Sequence, residues 1–404
     1  MRAGWLVPLL LLVAGCTAPP SGTDAAGGPF LVAHAPPLAA WGQGYAGAGT
    51  GAEPTVLAMR AHDAVVVGTF FTTFRSEDLG ATWVENGDPL FPMFPFIDGI
   101  ALAEDDAGGL YAASINGVVV SVARSGDEGR TWDVHGRLAA VDRIADRPWV
   151  AARGASEVAI VYNTGSGTAC ARSLDRGATW TLAQLSARTP GIAGNLVFDA
   201  DGALWYASNR SIHRYDVPCA GQPASIALPQ GGAQIFVQVD VDADGAVYAA
   251  MPSPDNTQMW LFGARGPGGA DQRLLAVSPP ELRTNTFGSV TVSPTGEVAV
   301  AWYASETQGR PDRDGFNGTW KAAAARVSGF WSDAPDVSSR VVDEGPLYRG
   351  PICMAGSHCT QRRDMQDYLM ADLDAQGRLY VAYTNASALP PSVHVARWDP
   401  APAP

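Results

Sequence analysis

The sequence predicts an all-β fold, a seven-bladed β-propeller of four-stranded antiparallel blades, and three observations carry that prediction. No segment of the 404 residues shows the 3.6-residue apolar period of a surface helix. A β-rich segment recurs seven times. A nine-residue stretch recurs three times, as RSEDLGATW at Arg75–Trp83, RSGDEGRTW at Arg124–Trp132 and RSLDRGATW at Arg172–Trp180.

Composition agrees with the first observation. Hydrophobic residues make up 47% of the chain and charged residues 17%, with 45 Gly and 30 Pro, as in a loop-rich folded protein long enough for a large core. The formal net charge of −13 argues against nucleic acid and against an anionic membrane face as partners.

The seven β-rich segments are HDAVVVGTF from His62, GGLYAAS from Gly108, SEVAIVYN from Ser156, GALWYASN from Gly202, GAVYAAM from Gly245, GEVAVAWYAS from Gly296 and GRLYVAYTNAS from Gly377. Most follow a turn such as DADG or SPTG, and most intervals lie between about 43 and 51 residues, the spacing of propeller blades. The last interval, from Val298 to Leu379, carries an extra loop at residues 341–367. The C-terminal VHVARWDP reads as a third strand. The missing outer strand is therefore expected at Phe30–Leu38, where it closes the ring and removes an open edge. The stretch DVDADG at Asp240–Gly245 imitates a calcium loop, but Met251 stands where the bidentate Glu belongs. It aligns with FDADG at Phe198 and DLDAQG at Asp372, so a turn is the preferred reading. No cofactor is expected, with calcium the open alternative.

Each nine-residue copy has the form S-x-D-x-G-x-T-W. Gly80, Gly129 and Gly177 allow a positive φ. Asp78, Asp127 and Asp175 can accept bonds from turn amides. Trp83, Trp132 and Trp180 can pack between neighbouring sheets. These are the parts of a rigid hairpin corner and are structural. The form resembles the Asp box, or BNR repeat, of the sialidase-like β-propellers. The resemblance implies a propeller over Phe30–Trp398, and known sialidases have six blades, so six is the alternative count. As an activity it implies an exo-glycosidase that clamps a carboxylate with three Arg, uses an Asp as acid/base and attacks with a Tyr activated by a Glu. Tyr368 stands where that nucleophile is expected, at the start of the last inner strand. Glu306 or Glu344 would be its partner, Asp98 and Asp146 the general acids, and Arg147 and Arg349 the clamp. The family's Arg-Ile-Pro motif is missing, and the first-blade strand GAEPTVLAMR has no Arg at its start. Fold by itself does not confer the activity.

The chain begins MRAGWLVPLLLLVAGC. Arg2 supplies the positive start, and Trp5–Ala14 is apolar but too short to be a stable membrane anchor. Val13-Ala14-Gly15-Cys16 resembles a bacterial lipobox, which implies cleavage before Cys16 and lipidation there. The alternative is an ordinary signal peptide cut near Gly15. Residues 1–15 are thus expected as a lipoprotein signal peptide, 16–28 as a flexible tether and 29–404 as one propeller domain. The protein is expected to be exported and held by lipid on the cell membrane or outer membrane, facing the periplasm or cell surface. Export permits disulfides. Besides Cys16, four cysteines remain, open to three pairings. Cys353 and Cys359 bracket ICMAGSHC and are the expected pair, which leaves Cys170 with Cys219. Cys353, His358 and Cys359 match no usual zinc spacing, so no metal site is expected.

In a propeller the first strand of each blade lines the central channel. It starts on the face shared with the second-to-third strand loops, and the corners lie on the opposite face. The strand starts supply Asp98, Asp146, Arg147, Asn195, Gln234, Asn285, Asp367 and Tyr368. The loops add Asn116, Asn163, Asn209, Asn256, Glu306 and Asn385, and the extra loop adds Arg349, His358, Arg362 and Arg363. Polar groups from every side converge on one mouth, which suits a glycan, another polar extracellular ligand, a peptide or a protein. The favoured reading is a surface-anchored binding propeller, and the alternative an exo-glycosidase of sialidase type. A third is an assembly factor like the seven-bladed Asp-box proteins that help build photosynthetic complexes.

Overall fold

The computed structural model describes residues 31–34, 53–60, 62–70, 72–86, 99–116, 119–139, 145–165, 167–186, 193–208, 210–354, 365, 367–388 and 391–400. The expected signal peptide and tether, Cys16, Asp98, Asn209, His358, Cys359, Arg362 and Arg363 lie outside them.

Within those residues the chain makes seven four-stranded antiparallel sheets in sequence. A first strand, β1 (Leu31–His34), is set aside for the end of the ring. Blade 1 is β2 (Thr55–Ala58), β3 (Val65–Gly68), β4 (Thr73–Ser76) and β5 (Val84–Glu85). Blade 2 is β6 (Ala101–Glu104), β7 (Leu110–Asn116), β8 (Val119–Ser125) and β9 (Asp133–Ala139). Blade 3 is β10 (Ala145–Arg153), β11 (Glu157–Thr164), β12 (Gly167–Ser173) and β13 (Thr181–Ser186). Blade 4 is β14 (Leu196–Phe198), β15 (Leu204–Ala207), β16 (Ser211–Tyr215) and β17 (Ala224–Ala227). Blade 5 is β18 (Val239–Val241), β19 (Val247–Pro252), β20 (Met259–Arg265) and β21 (Asp271–Ala276). Blade 6 is β22 (Thr284–Val292), β23 (Val298–Ser305), β24 (Thr319–Ser328) and β25 (Asp336–Arg349). Blade 7 is β26 (Met370–Leu373), β27 (Leu379–Asn385), β28 (Ser392–Trp398) and, outermost, β1.

The ring closes where the sequence places the closure: Leu31 pairs with Arg397 and His34 with His394. The first nine residues of the segment 341–367 are the last nine of the fourteen-residue β25, paired as far as Thr319↔Arg349. Second strands such as β23 (VAVAWYAS) are buried at every position. Neighbouring blades cover both faces of these strands, so they read as unbroken apolar runs rather than alternating ones. Apolar clusters accordingly bridge blades; Val56, Val65 and Phe74 of blade 1, for example, share one with Tyr380 and Val395 of blade 7, and Trp83 packs against it.

The three corners are built alike. At the second, Ser125 Oγ donates to Asp127 Oδ1 at 2.7 Å and accepts the Gly129 amide at 2.8 Å. Asp127 Oδ1 accepts the Thr131 amide at 2.8 Å and Oδ2 the Thr131 hydroxyl at 2.5 Å. Glu128 and Gly129 take φ of 62° and 80°, the left-handed region in which Gly at the second position avoids a Cβ clash. Burial pulls the Asp127 carboxyl upward, but the Thr131 and Ser125 bonds outweigh it and hold the group below its ordinary range. Ser125 is 1% exposed. Ser125→Ala strips a buried amide of its acceptor and should cost about 1–3 kcal/mol in denaturant unfolding, with an unchanged m-value. A loss under about 0.5 kcal/mol would mean that the corner contributes little to holding its blade.

A second repeat lies on the third strands, and in blades 1–3 it stands just before the corner. Six blades carry Arg at one third-strand position: Arg75, Arg124, Arg172, Arg214, Arg326 and Arg397 pair with Val66, Tyr111, Ala159, Trp205, Ala299 and Tyr380. Several reach into the next blade. Arg75 Nε donates to the Glu128 carbonyl at 2.8 Å, and Arg397 Nη1 to the Leu79 carbonyl at 2.9 Å. In blade 5 the position is Gly263, where a Cβ would collide with Phe330, so an aromatic from blade 6 fills the place of the guanidinium. A disulfide adds a covalent link between blades 3 and 4, Cys170–Cys219, with Cα atoms 5.4 Å apart. Cys353 is also disulfide-bonded.

Candidate functional site

The first strands β2, β6, β10, β14, β18, β22 and β26 line a central channel. The turns ending them lie on the same face as the corners, since the Arg176 amide of a corner donates to the Ser156 carbonyl at 2.9 Å. The strand starts share the opposite face with the second-to-third strand loops, as Asp146↔Asn163 pairing requires.

At the strand-start face the channel is filled by side chains. β10 bulges between Asp146 and Trp149, and Arg147 takes φ 46°, a costly conformation for a residue with a Cβ. The bulge turns Arg147 inward while leaving Asp146 exposed. The Arg147 guanidinium lies 4.2 Å from the ring centroids of both Trp149 and Tyr368, a desolvated cation–π sandwich. Its Nη1 donates to the Gly99 carbonyl at 2.9 Å and lies 3.4 Å from Glu53 Oε2. Phe236 completes the plug at 5.7 Å from Trp149 and 5.9 Å from Tyr368. Trp149 Nε1 donates to the Ala193 carbonyl, and the Tyr368 hydroxyl to the Glu53 carbonyl, each at 2.9 Å. Gly99 is required here, because a Cβ would collide with Arg147 and the Tyr368 hydroxyl.

The other residues expected at this mouth are placed as follows. Asn195 exchanges two bonds with the Val239 backbone of the next blade, 2.7 and 2.9 Å. Asn285 is fully buried, donating to the Leu282 carbonyl at 2.9 Å and accepting Trp302 Nε1 at 2.8 Å. Asn256 bonds the Ala233 amide at 3.0 Å and the Asn285 carbonyl at 2.9 Å. Gln234 Oε1 accepts the Gly288 amide at 3.3 Å. Asn163 accepts the Ala193 amide at 3.0 Å, and Asn385 accepts from Ser387. Asp367 is 8% exposed. Arg349 is exposed and donates to the Asn317 carbonyl at 3.3 Å. Glu306 is exposed and bound to Lys321 at 2.7 Å, which also holds Glu344. The structure therefore brings Arg147 and Tyr368 together and leaves Glu306 and Arg349 on the outside.

Beneath the plug lies a cavity of about 690 Å³, lined by all seven first strands, with Trp149 among its lining residues. It reaches Arg60, Asp106, Gly154 and Leu174, residues of the corner face, so the channel opens there. Leu174 is 62% exposed at this lip. Two carboxylates on the cavity wall, Asp240 and Asp372, are titration outliers. Burial drives Asp240 up, opposed by the Val292 and Val241 amides and Arg60. Burial likewise drives Asp372 up to about 7, opposed by Arg60 and the Ala58 amide and assisted by Asp240. In the sequence both stand at the head of segments that read as turns, DVDADG and DLDAQG, and the alignment of the two shows their equivalence. Asp242 and Asp374, two residues on, are the turn formers. Asp242 accepts the Asp244 and Ala246 amides and the Tyr248 hydroxyl at 3.0, 2.8 and 2.8 Å.

No family model matches the chain, and no curated protein matches it. Among solved structures it is similar to the GH74 enzyme of Niastella koreensis, at 15% identity and a TM-score of 0.51 over 86% of this chain and 53% of that one. It is also similar to YCF48 bound to D1 peptide, at 13% identity and a TM-score of 0.52 over 93% and 96%. The chain thus spans about half the length of the Niastella enzyme. At these identities the likeness is one of fold: a seven-bladed propeller.

Proposed function

We propose that this chain is an exported, lipid-anchored binding propeller that holds a peptide or glycan in its central channel without turning it over. The placement of Tyr368 carries this reading. A nucleophilic tyrosine needs a free hydroxyl beside a base and facing the substrate. The Tyr368 hydroxyl is committed to the Glu53 carbonyl, its ring is stacked under Arg147, and it is 2% exposed. Glu306 and Glu344, its expected partners, are both held on the surface by Lys321. The cavity below the plug has the size and mixed polarity of a ligand site. YCF48, a fold neighbour, has been solved with a D1 peptide bound, which supports including peptides in the ligand class.

The test pairs turnover with binding. The full chain in detergent is expected to leave a fluorogenic sialoside intact and to bind saturably on a peptide or glycan array. Tyr368→Phe keeps the ring and should leave that binding unchanged. Hydrolysis by the wild type that disappears in Tyr368→Phe would overturn the reading. Cys16→Ser should release the protein from the membrane fraction; retention would remove the lipid anchor from the proposal.

A further inference from the structure

The first strands carry a pattern around the cavity that their turns reveal. Two residues before each turn stand Leu57, Ala103, Ala151 and Val197 in blades 1–4, then Asp240, Thr291 and Asp372 in blades 5–7. All seven line the cavity. At one height, then, the channel wall is apolar over four blades and polar over the remaining three.

The polar side is built from fixed groups. Asp240 Oδ1 and Oδ2 accept the amides of Val241 and Val292, both at 2.8 Å. Asp372 accepts the amides of Leu373 and Ala58, both at 2.9 Å. Thr291 stands between them, its hydroxyl 3.4 Å from Asp372 Oδ1 and also serving Asp240. Each carboxylate keeps acceptor capacity after these bonds, and each is half-buried on the wall of the cavity. Arg60, exposed at the rim, is the cation whose field reaches both. Two like charges in a partly desolvated channel call for a positive partner, and the facing alkyl wall calls for hydrocarbon.

We propose that the lower channel binds an ammonium or guanidinium group on an apolar stem, as in a lysine or arginine side chain of a peptide. The cation sits between Asp240 and Asp372, and the stem lies against Leu57, Ala103, Ala151 and Val197. This rests on the channel being the ligand site and names the chemistry of that ligand. The cation displaces the proton that Asp372 holds up to about pH 7, so uptake strengthens from pH 5 to pH 8. Burial raises this titration and Asp240 of β18 adds to it, while Arg60 after β2 and the Ala58 and Leu373 amides oppose it; the Thr291 hydroxyl of β22 lies 3.4 Å from Asp372 Oδ1. Glu104, Asp106, Arg153, Glu157 and Asp199 line the cavity further out, with Arg153 bound to Glu157 and Arg214 beside Asp199.

The probes are n-pentylamine and its neutral counterpart 1-pentanol, titrated calorimetrically into the full chain in detergent. The amine should bind saturably, at least tenfold more tightly than the alcohol, and should release a proton between pH 6 and pH 7. The Asp240→Asn/Asp372→Asn double variant, checked for a cooperative unfolding transition, should lose at least tenfold in amine affinity. Equal affinity for amine and alcohol in the wild type overturns the proposal without recourse to any variant. So does unchanged amine affinity in the folded double variant. If a peptide or glycan still binds saturably in either case, the broader reading stands and only the cation site falls. A capped Gly-Lys-Gly peptide that binds as the amine does assigns the site to a side chain. Binding of n-pentylamine alone keeps the cation site and assigns it to free amines.

Discussion

Arg326→Ala should be among the most destabilising single substitutions in this ring, costing about 3–5 kcal/mol in denaturant unfolding. Arg326 is 7% exposed and works as a planar fork. Its Nε and Nη2 hold both oxygens of Glu297 at 2.7 Å, while Nη1 and Nη2 donate to the carbonyls of Trp398 and Gly377 at 3.1 and 2.8 Å. One side chain thus ties blade 6 to two points of blade 7. Alanine leaves a carboxylate and two carbonyls without their donor, and the cost of unpaired acceptors exceeds the worth of the bonds themselves. Arg326→Lys should recover only part of the loss, because an ammonium cannot span that geometry. Arg265→Ala is the contrast. Arg265 and its partner Asp271 are 47% and 55% exposed, and an exposed pair is worth at most about 1 kcal/mol. If the two alanine variants unfold at the same denaturant concentration, the arginine repeat is not what joins the blades.

The second large effect is a pH dependence that belongs to Asp372. The folded protein holds its proton to about pH 7, whereas an unfolded aspartate releases it near 3.9. The stabilisation is therefore complete below about pH 4, shrinks as pH rises through 7 and is gone above. Over that window the wild type should lose on the order of 4 kcal/mol relative to Asp372→Asn, which cannot ionise. Above about pH 7 the two curves should run parallel. The corner carboxylates act in the opposite sense. The Thr179 hydroxyl and amide, with Ser173, hold Asp175 down at about 2, and Asp78 and Asp127 are also lowered. Their contribution is present above about pH 4 and fades as pH falls below it. Urea unfolding of both proteins from pH 4.5 to pH 8 checks the assignment, and parallel curves throughout would refute it.

The blade count and the corners were legible in the sequence because the interactions that make them are local. Ser125, Asp127, Gly129 and Thr131 bond one another within seven residues of chain, so the pattern names its own geometry. The closing strand was legible for a related reason, since seven repeats of a four-strand unit with one strand missing at the end leave one place for it. The arginine repeat was harder to see. In blades 1–3 it merges with the start of the corner, as RS, and in blades 6 and 7 it stands in ARV and ARW with no corner after it. The mouth residues show a different limit. An Asn at a strand start looks the same whether it faces a ligand or a backbone. Asn195 meets Val239, a partner one whole blade further along.

By itself the sequence determined the repeating unit: strand order, corner chemistry, turn residues and the way the ring shuts. Each of these follows from contacts between residues a few positions apart, or from the regular spacing of apolar runs. Only the tertiary structure decided which end of the channel is filled and which is open. That outcome depends on a bulge aiming Arg147 between Trp149 and Tyr368, and on the packing of blades 5, 6 and 7 around the axis, which sets Asp240 and Asp372 on either side of Thr291. Side chains from separate blades meet on the axis, and no local pattern records what they meet.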